Sequence, residues 1–335
     1  MRVLRTLVVY PLLLLAVAFM LGHWWVHKPL ALPAQATADK PLELDIAPGS
    51  SARAVARRVQ AAGVDVMPEL LFAWFRLSGQ SRDIKSGVYE IDPGDTPRSL
   101  LSKLVRGEQA LISVQIVEGL TAAQAIGALQ ASPDLTQDLA GLSLEQIMER
   151  LGKAGVHAEG RFFPDTYRVV KHATLSSVLR EAARAMDERL ARAWDSRDPA
   201  SPLQSPEEAL VLASIVEKET GRDADRSLVA GVFSNRLRVG MRLQTDPTVI
   251  YGLGERFDGN LRRVDLTTDT PYNTYTRAGL PPTPIALPGM ASLMAAVQPA
   301  STKAMYFVAR GDGSSHFSAT LGEHNAAVRR YQLRR

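Results

Sequence analysis

Ser205-Pro-Glu-Glu-Ala-Leu-Val-Leu-Ala-Ser-Ile-Val-Glu-Lys-Glu-Thr-Gly221 carries its own start and stop signals. Ser205 followed by Glu208 reads as a capping box, Pro206 suits the first helical position, and Gly221 supplies a left-handed stop. The stretch is therefore predicted to be a helix from Ser205 to Thr220. At about 100° per residue, Ala209, Leu212, Ile215 and Val216 share one apolar arc. Glu219 projects near its centre, Glu217 toward its edge and Lys218 outside it. A carboxyl aimed at an apolar side loses hydration, its pKa rises, and it becomes able to act as a general acid near neutral pH. The alternative reading is a frayed last turn with both glutamates in water. With helices like this one and several short strand-like runs, the chain is expected to be α+β, with the acid carried on a helix of the larger domain.

Downstream, Ala224 to Val239 reads as a second helix, through Leu228, Val232, Phe233 and Leu237, stopped by Gly240. Met241 to Gly252 then reads as a strand-like start followed by a polar cluster, from which Gln244, Thr245, Asp246 and Tyr251 are candidate substrate contacts. Thr270-Pro-Tyr-Asn-Thr-Tyr275, Gly279-Leu-Pro-Pro-Thr-Pro-Ile285 and Pro288-Gly289 are dense in proline, which makes a rigid, non-helical wall. Tyr272, Asn273, Thr274 and Tyr275 suit a sugar cleft: aromatic faces cover C–H surfaces while amide and hydroxyl groups bond sugar hydroxyls. A purely structural loop would have the same composition. Upstream, Glu159 to Tyr167 packs aromatics around Pro164-Asp165 and reads either as a packed turn or as part of the site. Arg236 reads either as a helix-surface arginine or as a support of the cleft. His316 and His324 flank a strand-to-helix junction without metal-type spacing, and no phosphate loop, dinucleotide fingerprint or zinc motif is present, so neither a metal nor a cofactor is expected.

Nearer the N-terminus, Leu42 to Ala47 alternates like a half-buried strand, Pro48-Gly49 turns, and Ser51 caps a helix. Val88 to Ile91, Pro93-Gly94 and Thr96 to Leu100 repeat that design, with an amphipathic helix from Met67 to Leu77 between the copies. Strand, helix, helix, strand and a further helix look like a LysM-type glycan-binding module, against which stands a plain α/β spacer. Val114 to Val117, Glu118-Gly119 and Thr121 to Leu129 open the larger domain. Leu7 to Val26 is almost unbroken apolar sequence, close to the roughly 20 residues that cross a bilayer. Arg2 and Arg5 precede it and Trp24, Trp25 and Lys28 follow, so a single transmembrane helix with a cytoplasmic N-terminus is predicted. A cleaved signal peptide ending at Ala34-Gln35-Ala36 is the competing reading. The expected division is 1–28 (cytoplasmic tip and transmembrane helix), 29–41 (linker), 42–112 (LysM-like module) and 113–335 (catalytic domain).

Composition sets outer bounds on these readings. With 335 residues, 46% hydrophobic and 22% charged, the chain is neither disordered nor polytopic. A net charge of +4 from 39 basic and 35 acidic residues, without a basic stripe, argues against a nucleic-acid partner. The absence of cysteine excludes disulfides, thiolate metal sites and cysteine nucleophiles.

Ala213-Ser-Ile-Val-Glu-Lys-Glu-Thr220, Val232-Phe-Ser-Asn-Arg-Leu237, Met241 to Gly252, Tyr272-Asn-Thr-Tyr275 and Gly279-Leu-Pro-Pro282, in that order and spacing, resemble the YceG/MltG endolytic murein transglycosylases. The resemblance is strongest from Ala213 to Pro288 and departs at Gly221-Arg222-Asp223, where the family has small residues. It implies that Glu219, the second glutamate of Glu-Lys-Glu-Thr, is the catalytic acid/base. It also implies cleavage of MurNAc-GlcNAc bonds within peptidoglycan strands to leave 1,6-anhydro-MurNAc ends, terminating nascent strands beside penicillin-binding-protein synthase complexes. The setting implied is a single-pass inner-membrane protein with its catalytic domain in the periplasm. A hydrolytic muramidase would need a second carboxylate, for which Asp246 and Glu217 are candidates. A non-catalytic peptidoglycan-binding scaffold is the third reading.

Overall fold

A computed structural model describes residues 2–333, with side chains at Tyr10 and from Leu12 onward. Two compact units emerge, Met1–Ile112 with Val169–His172, and Ser113–Arg168 with Ala173–Arg335. The first holds helix α1 (Arg2–His27), strand β1 (Leu42–Ile46), helices α2 (Ala52–Ala61) and α3 (Pro68–Leu77), strand β2 (Gly87–Ile91) and helix α4 (Pro97–Arg106). Short-range chemistry sets these elements. Ser51 accepts the Ala54 amide at the start of α2, and Thr96 and Ser99 cap each other at the start of α4. Gly49 and Gly94 turn at φ 76° and 99°, angles that a Cβ disfavours. β1 and β2 pair antiparallel from Leu42↔Ile91 to Ile46↔Gly87. Leu44, Ile46, Tyr89 and Ile91 are thereby buried among Val55, Leu71, Phe75, Leu100 and Leu104.

The membrane-spanning helix expected at Leu7 to Val26 is not supported. Among the described residues no helix is long and apolar enough to cross a membrane. The side chains of Leu7 to Val9 and of Pro11 lie outside the described residues. The described helix α1 runs on to His27. Its last turn is built into the small unit instead. Val26 is 6% exposed, Trp25 packs on the core, and His27 Nε2 lies 3.0 Å from an Arg98 guanidinium nitrogen. The transmembrane helix, the membrane as a partner through it, and the single-pass inner-membrane location with a periplasmic catalytic domain are accordingly withdrawn.

Downstream follow β3 (Leu111–Gln115), α5 (Ala122–Gln130), α6 (Leu144–Arg150), β4 (Thr166–Val170), α7 (Leu175–Asp195), α8 (Pro206–Glu219), α9 (Asp223–Arg238), α10 (Asp246–Leu253), α11 (Arg263–Thr267), α12 (Met290–Val297), β5 (Tyr306–Ala309), β6 (Ser315–Ser318) and α13 (Leu321–Tyr331). β3 pairs with β4, and β5 pairs antiparallel with β6. Short separate sheets among many helices make the chain α+β. The axis of the larger unit is α8, which packs against α7, α9, α10 and α12.

Four sequence-based expectations shift in this unit. α8 is not amphipathic: Ala209 to Val216 are all buried, because helices cover every side of it. Its stop is not a left-handed Gly221 but Thr220, which turns extended at φ −146° and ψ 128°. Its start keeps the Ser205 cap, while the Glu208 carboxylate accepts from the Gln204 amide at 2.6 Å instead of closing a box on Ser205. Finally, Met241 to Gly252 forms no strand. Thr245 precedes α10, with Pro247 in its first turn, so the polar cluster becomes a helix N-terminus.

Candidate active site

Glu219 is the last residue of α8, and its carboxyl is largely withdrawn from water where that helix meets the start of α10. Its Oε1 accepts from the hydroxyl of Thr245. Thr245 is itself fixed from both sides: its amide donates to Thr274 Oγ1 at 3.1 Å, and its carbonyl accepts from Thr248 Oγ1 at 2.8 Å. The Thr248 and Thr274 hydroxyls lie 2.9 Å apart, and all three threonines are buried. Two small hydroxyls, those of Thr248 and Thr274, thus anchor the donor Thr245, so its direction is set by packed framework and not by a mobile side chain.

Burial pushes the Glu219 carboxyl above the usual range. The Thr245 hydrogen bond and the more distant Arg236 charge oppose that rise, and the Asp246 carboxylate adds to it. Arg236 is buried at 7% exposure and is no surface residue of α9. Its Nε donates to Met305 O at 2.8 Å and a terminal nitrogen to Leu243 O at 2.5 Å. It therefore ties the loop that carries Thr245 to β5.

The other sequence-predicted residues divide into rim and framework. Asp246 is exposed at the start of α10 and accepts from the Tyr275 hydroxyl at 2.5 Å. Gln244 is exposed, sits at φ 49° and donates its amide to Thr274 O at 3.1 Å. That backbone bond joins the loop before α10 to the proline-rich segment. Asn273 is framework, fully buried, with its side-chain nitrogen donating to the carbonyls of Asp265, Leu266 and Thr268 and its oxygen accepting from the Tyr275 amide. Thr274 is framework as described. Tyr251 and Tyr272 meet edge to face with ring centres 5.0 Å apart, and the Tyr272 hydroxyl lies 2.8 Å from Thr283 Oγ1. The structure therefore brings Glu219, Thr245, Asp246 and Tyr275 together, and places Tyr251, Tyr272, Asn273 and Thr274 in the scaffold around them.

Two further acids were not singled out from the sequence. Glu159, 3% exposed, accepts from the Ala122 amide at 2.9 Å and bonds the Tyr251 hydroxyl; burial raises its carboxyl to about 7. Glu118 is raised by burial and by the neighbouring Glu217 carboxylate. Both contacts join residues far apart in the chain, so no local pattern marks them. His324 stacks on Tyr306 at 5.2 Å and His316 lies against Tyr331, which puts both histidines in ring packing. Among the described residues no group of three or more histidine, cysteine or acidic side chains is arranged to hold a metal ion.

Comparison with known proteins adds to this geometry. The model of the YceG-like family matches residues 44–330. The chain is 30% identical over 327 residues to the endolytic murein transglycosylase of Bacillus subtilis, covering 92% of this chain and 90% of that one. It is 29% identical over 351 residues to the endolytic murein transglycosylase of Streptococcus pneumoniae, covering 95% of this chain and 63% of the relative, and so spans less than two thirds of the pneumococcal protein. A 2.6 Å crystal structure of a yceG-like protein from Listeria monocytogenes matches with a TM-score of 0.54 at 28% identity, covering 86% of this chain and 99% of that one.

Proposed function

The chain belongs to the YceG-like family, and from that membership and the geometry of Glu219 we propose that it is a lyase-type enzyme, a lytic transglycosylase acting within peptidoglycan glycan strands. One observation carries the reading: a carboxyl at the end of a buried helix, raised by desolvation and aimed by a fixed hydroxyl. Such a group holds its proton more readily than a solvated carboxyl and can donate to the glycosidic oxygen between MurNAc and GlcNAc. The C1–O bond breaks, the leaving oxygen keeps the proton, and an oxocarbenium-like sugar remains. Glu219, now charged, accepts the proton of the muramoyl C6 hydroxyl as that oxygen closes onto C1. The 1,6-anhydro ring forms, the acid is regenerated, and no water is consumed. Asp246, held by Tyr275 at the exposed rim, supplies negative charge on the same side of the site.

The test is digestion of purified glycan strands followed by mass spectrometry of the new ends. Wild-type protein should give anhydro-muramoyl ends, and Glu219→Gln should lower their rate by roughly 10² to 10⁴-fold, the usual worth of acid-base assistance. Reducing ends in place of anhydro ends would mean hydrolysis, and turnover by the glutamine variant would remove Glu219 from the chemistry.

A further inference from the structure

The second acid of the α8 terminus, Glu217, faces away from Thr245 and closes a different contact. Its Oε2 accepts from the Gly289 amide at 3.0 Å, at the N-cap of α12. Glu118 presses on the same glycine: a Cβ built there would lie 1.8 Å from Glu118 Oε1. The Glu118 carboxylate thus lies directly against residue 289, whose φ of −78° is open to any residue. The backbone reinforces this junction. Gly119 donates to Leu287 O at 2.9 Å, Leu287 donates to Leu120 O at 2.8 Å, and Lys218 Nζ donates to Gly119 O at 3.1 Å. Three segments distant in sequence, 118–120, 217–218 and 287–289, are thus fastened at the last turn of α8, two residues before the acid.

We propose that Glu217 is a positioning residue for Glu219, clasping the last turn of α8 to the start of α12 through the Gly289 amide, with Glu118 as the second carboxyl of the clasp. The proposal rests on the acid role of Glu219. Helix ends fray unless their last turn is tied down, and α8 is followed at once by the extended Thr220. The ladder ends with a long bond from the Thr220 amide to Val216 O at 3.3 Å, and the clasp reinforces that turn. Bringing Glu217 and Glu118 close also couples them. Loss of the Glu118 proton sets two negative charges against each other, with Arg226 and Asp223 facing Glu118 as well and Lys218 bonded to the adjoining carbonyl. The clasp therefore loosens as pH rises.

Full-length Glu217→Ala and Glu217→Gln variants, assayed on purified glycan strands and by hydrogen exchange at the Gly289 amide, decide the matter. The alanine variant should lose about 10²-fold in kcat, the scale of a 1 Å misplacement, with KM within about two-fold of wild type by the same reasoning, since uniform binding is untouched. It should also lose Gly289 protection. The glutamine variant keeps an oxygen acceptor and should restore both protection and most of the turnover. Wild-type kcat in the alanine variant would overturn the proposal, as would a glutamine variant that keeps protection yet is as slow as alanine, because the charge itself would then be acting. Should the alanine variant fail to fold, Glu118→Gln takes its place. At pH 9 its Gly289 amide should be better protected than in wild type, and equal protection would overturn the proposal. Failure of the underlying reading looks different: Glu219→Gln would turn over normally while the Glu217 effects on Gly289 protection persisted.

Discussion

At the scale of single residues, the site turns on how Thr245 and burial oppose each other at Glu219. Burial disfavours the carboxylate, whereas the Thr245 hydroxyl bonds and favours it. Thr245→Val keeps the shape of the side chain and removes only the donor, so the charged form loses support and the Glu219 pKa rises further. Because the protonated acid is the active form, the alkaline limb of the pH-rate profile should move to higher pH by about one unit or more, given that a hydrogen bond to a charged group is worth about 1.5 to 3 kcal/mol. A limb that stays in place or moves down would show that Thr245 does not control this acid. That Glu219 and Glu217 reach different surroundings was legible from the 100° helical rotation alone, because two positions two residues apart cannot share a face. The partners were not legible. Thr245 lies 26 residues from Glu219 and Glu118 faces a glycine beyond residue 280, and no periodicity encodes pairings at such separations.

At the scale of elements, N-cap side chains form the expected bonds, although the capping box at Ser205 does not close. Ser51, Thr96 and Ser205 all cap helices as their residue types demand. Thr245-Asp-Pro247 also opens a helix, with a proline in its first turn, but the Thr245 hydroxyl caps nothing and donates to Glu219 instead. The strand-like start read at Met241 is followed by this helix, β-propensity being context-dependent. Conversely, the apolar arc on α8 was real but uninformative about burial, because its other faces are also small or apolar and other helices cover them. Glu159 links two such elements, the first turn of α5 through the Ala122 amide and α10 through Tyr251. Its carboxyl titrates near 7 when folded against about 4.5 in the free side chain. A raised folded value means that its contribution to stability is fully present below about pH 4.5 and is lost as pH rises through about 7. The loss is on the order of 3 kcal/mol. Denaturant unfolding of Glu159→Gln should lack that decline, so wild type and variant should differ more at pH 8 than at pH 4. Parallel stability curves across this range would contradict the buried-acid assignment.

At the scale of the whole molecule, the unit at the N-terminal end has a hydrophobic core of its own, and it raises a question of function that Glu219 does not address. Leu44, Val55, Leu71, Phe75, Tyr89, Leu100 and Leu104 fill it, with Trp25, Leu30 and Leu32 packed alongside. The chain before β1 is therefore part of this unit's packing, although the sequence reads 29–41 as a linker. Two strands flanking a helix pair made a LysM-like glycan module the sequence-based expectation; the structure pairs those strands antiparallel, and glycan binding by this unit is the proposal carried forward. A segment running from Trp25 to Ile112 keeps all of those core residues together. It should unfold cooperatively, and truncating Phe75 to alanine within it should cost about 3 to 5 kcal/mol, as for other buried aromatic residues. The folded segment should then sediment with purified peptidoglycan sacculi, and the unfolded Phe75→Ala segment should not. Cooperative unfolding without sedimentation would make the unit a spacer, leaving glycan recognition to the groups around Glu219.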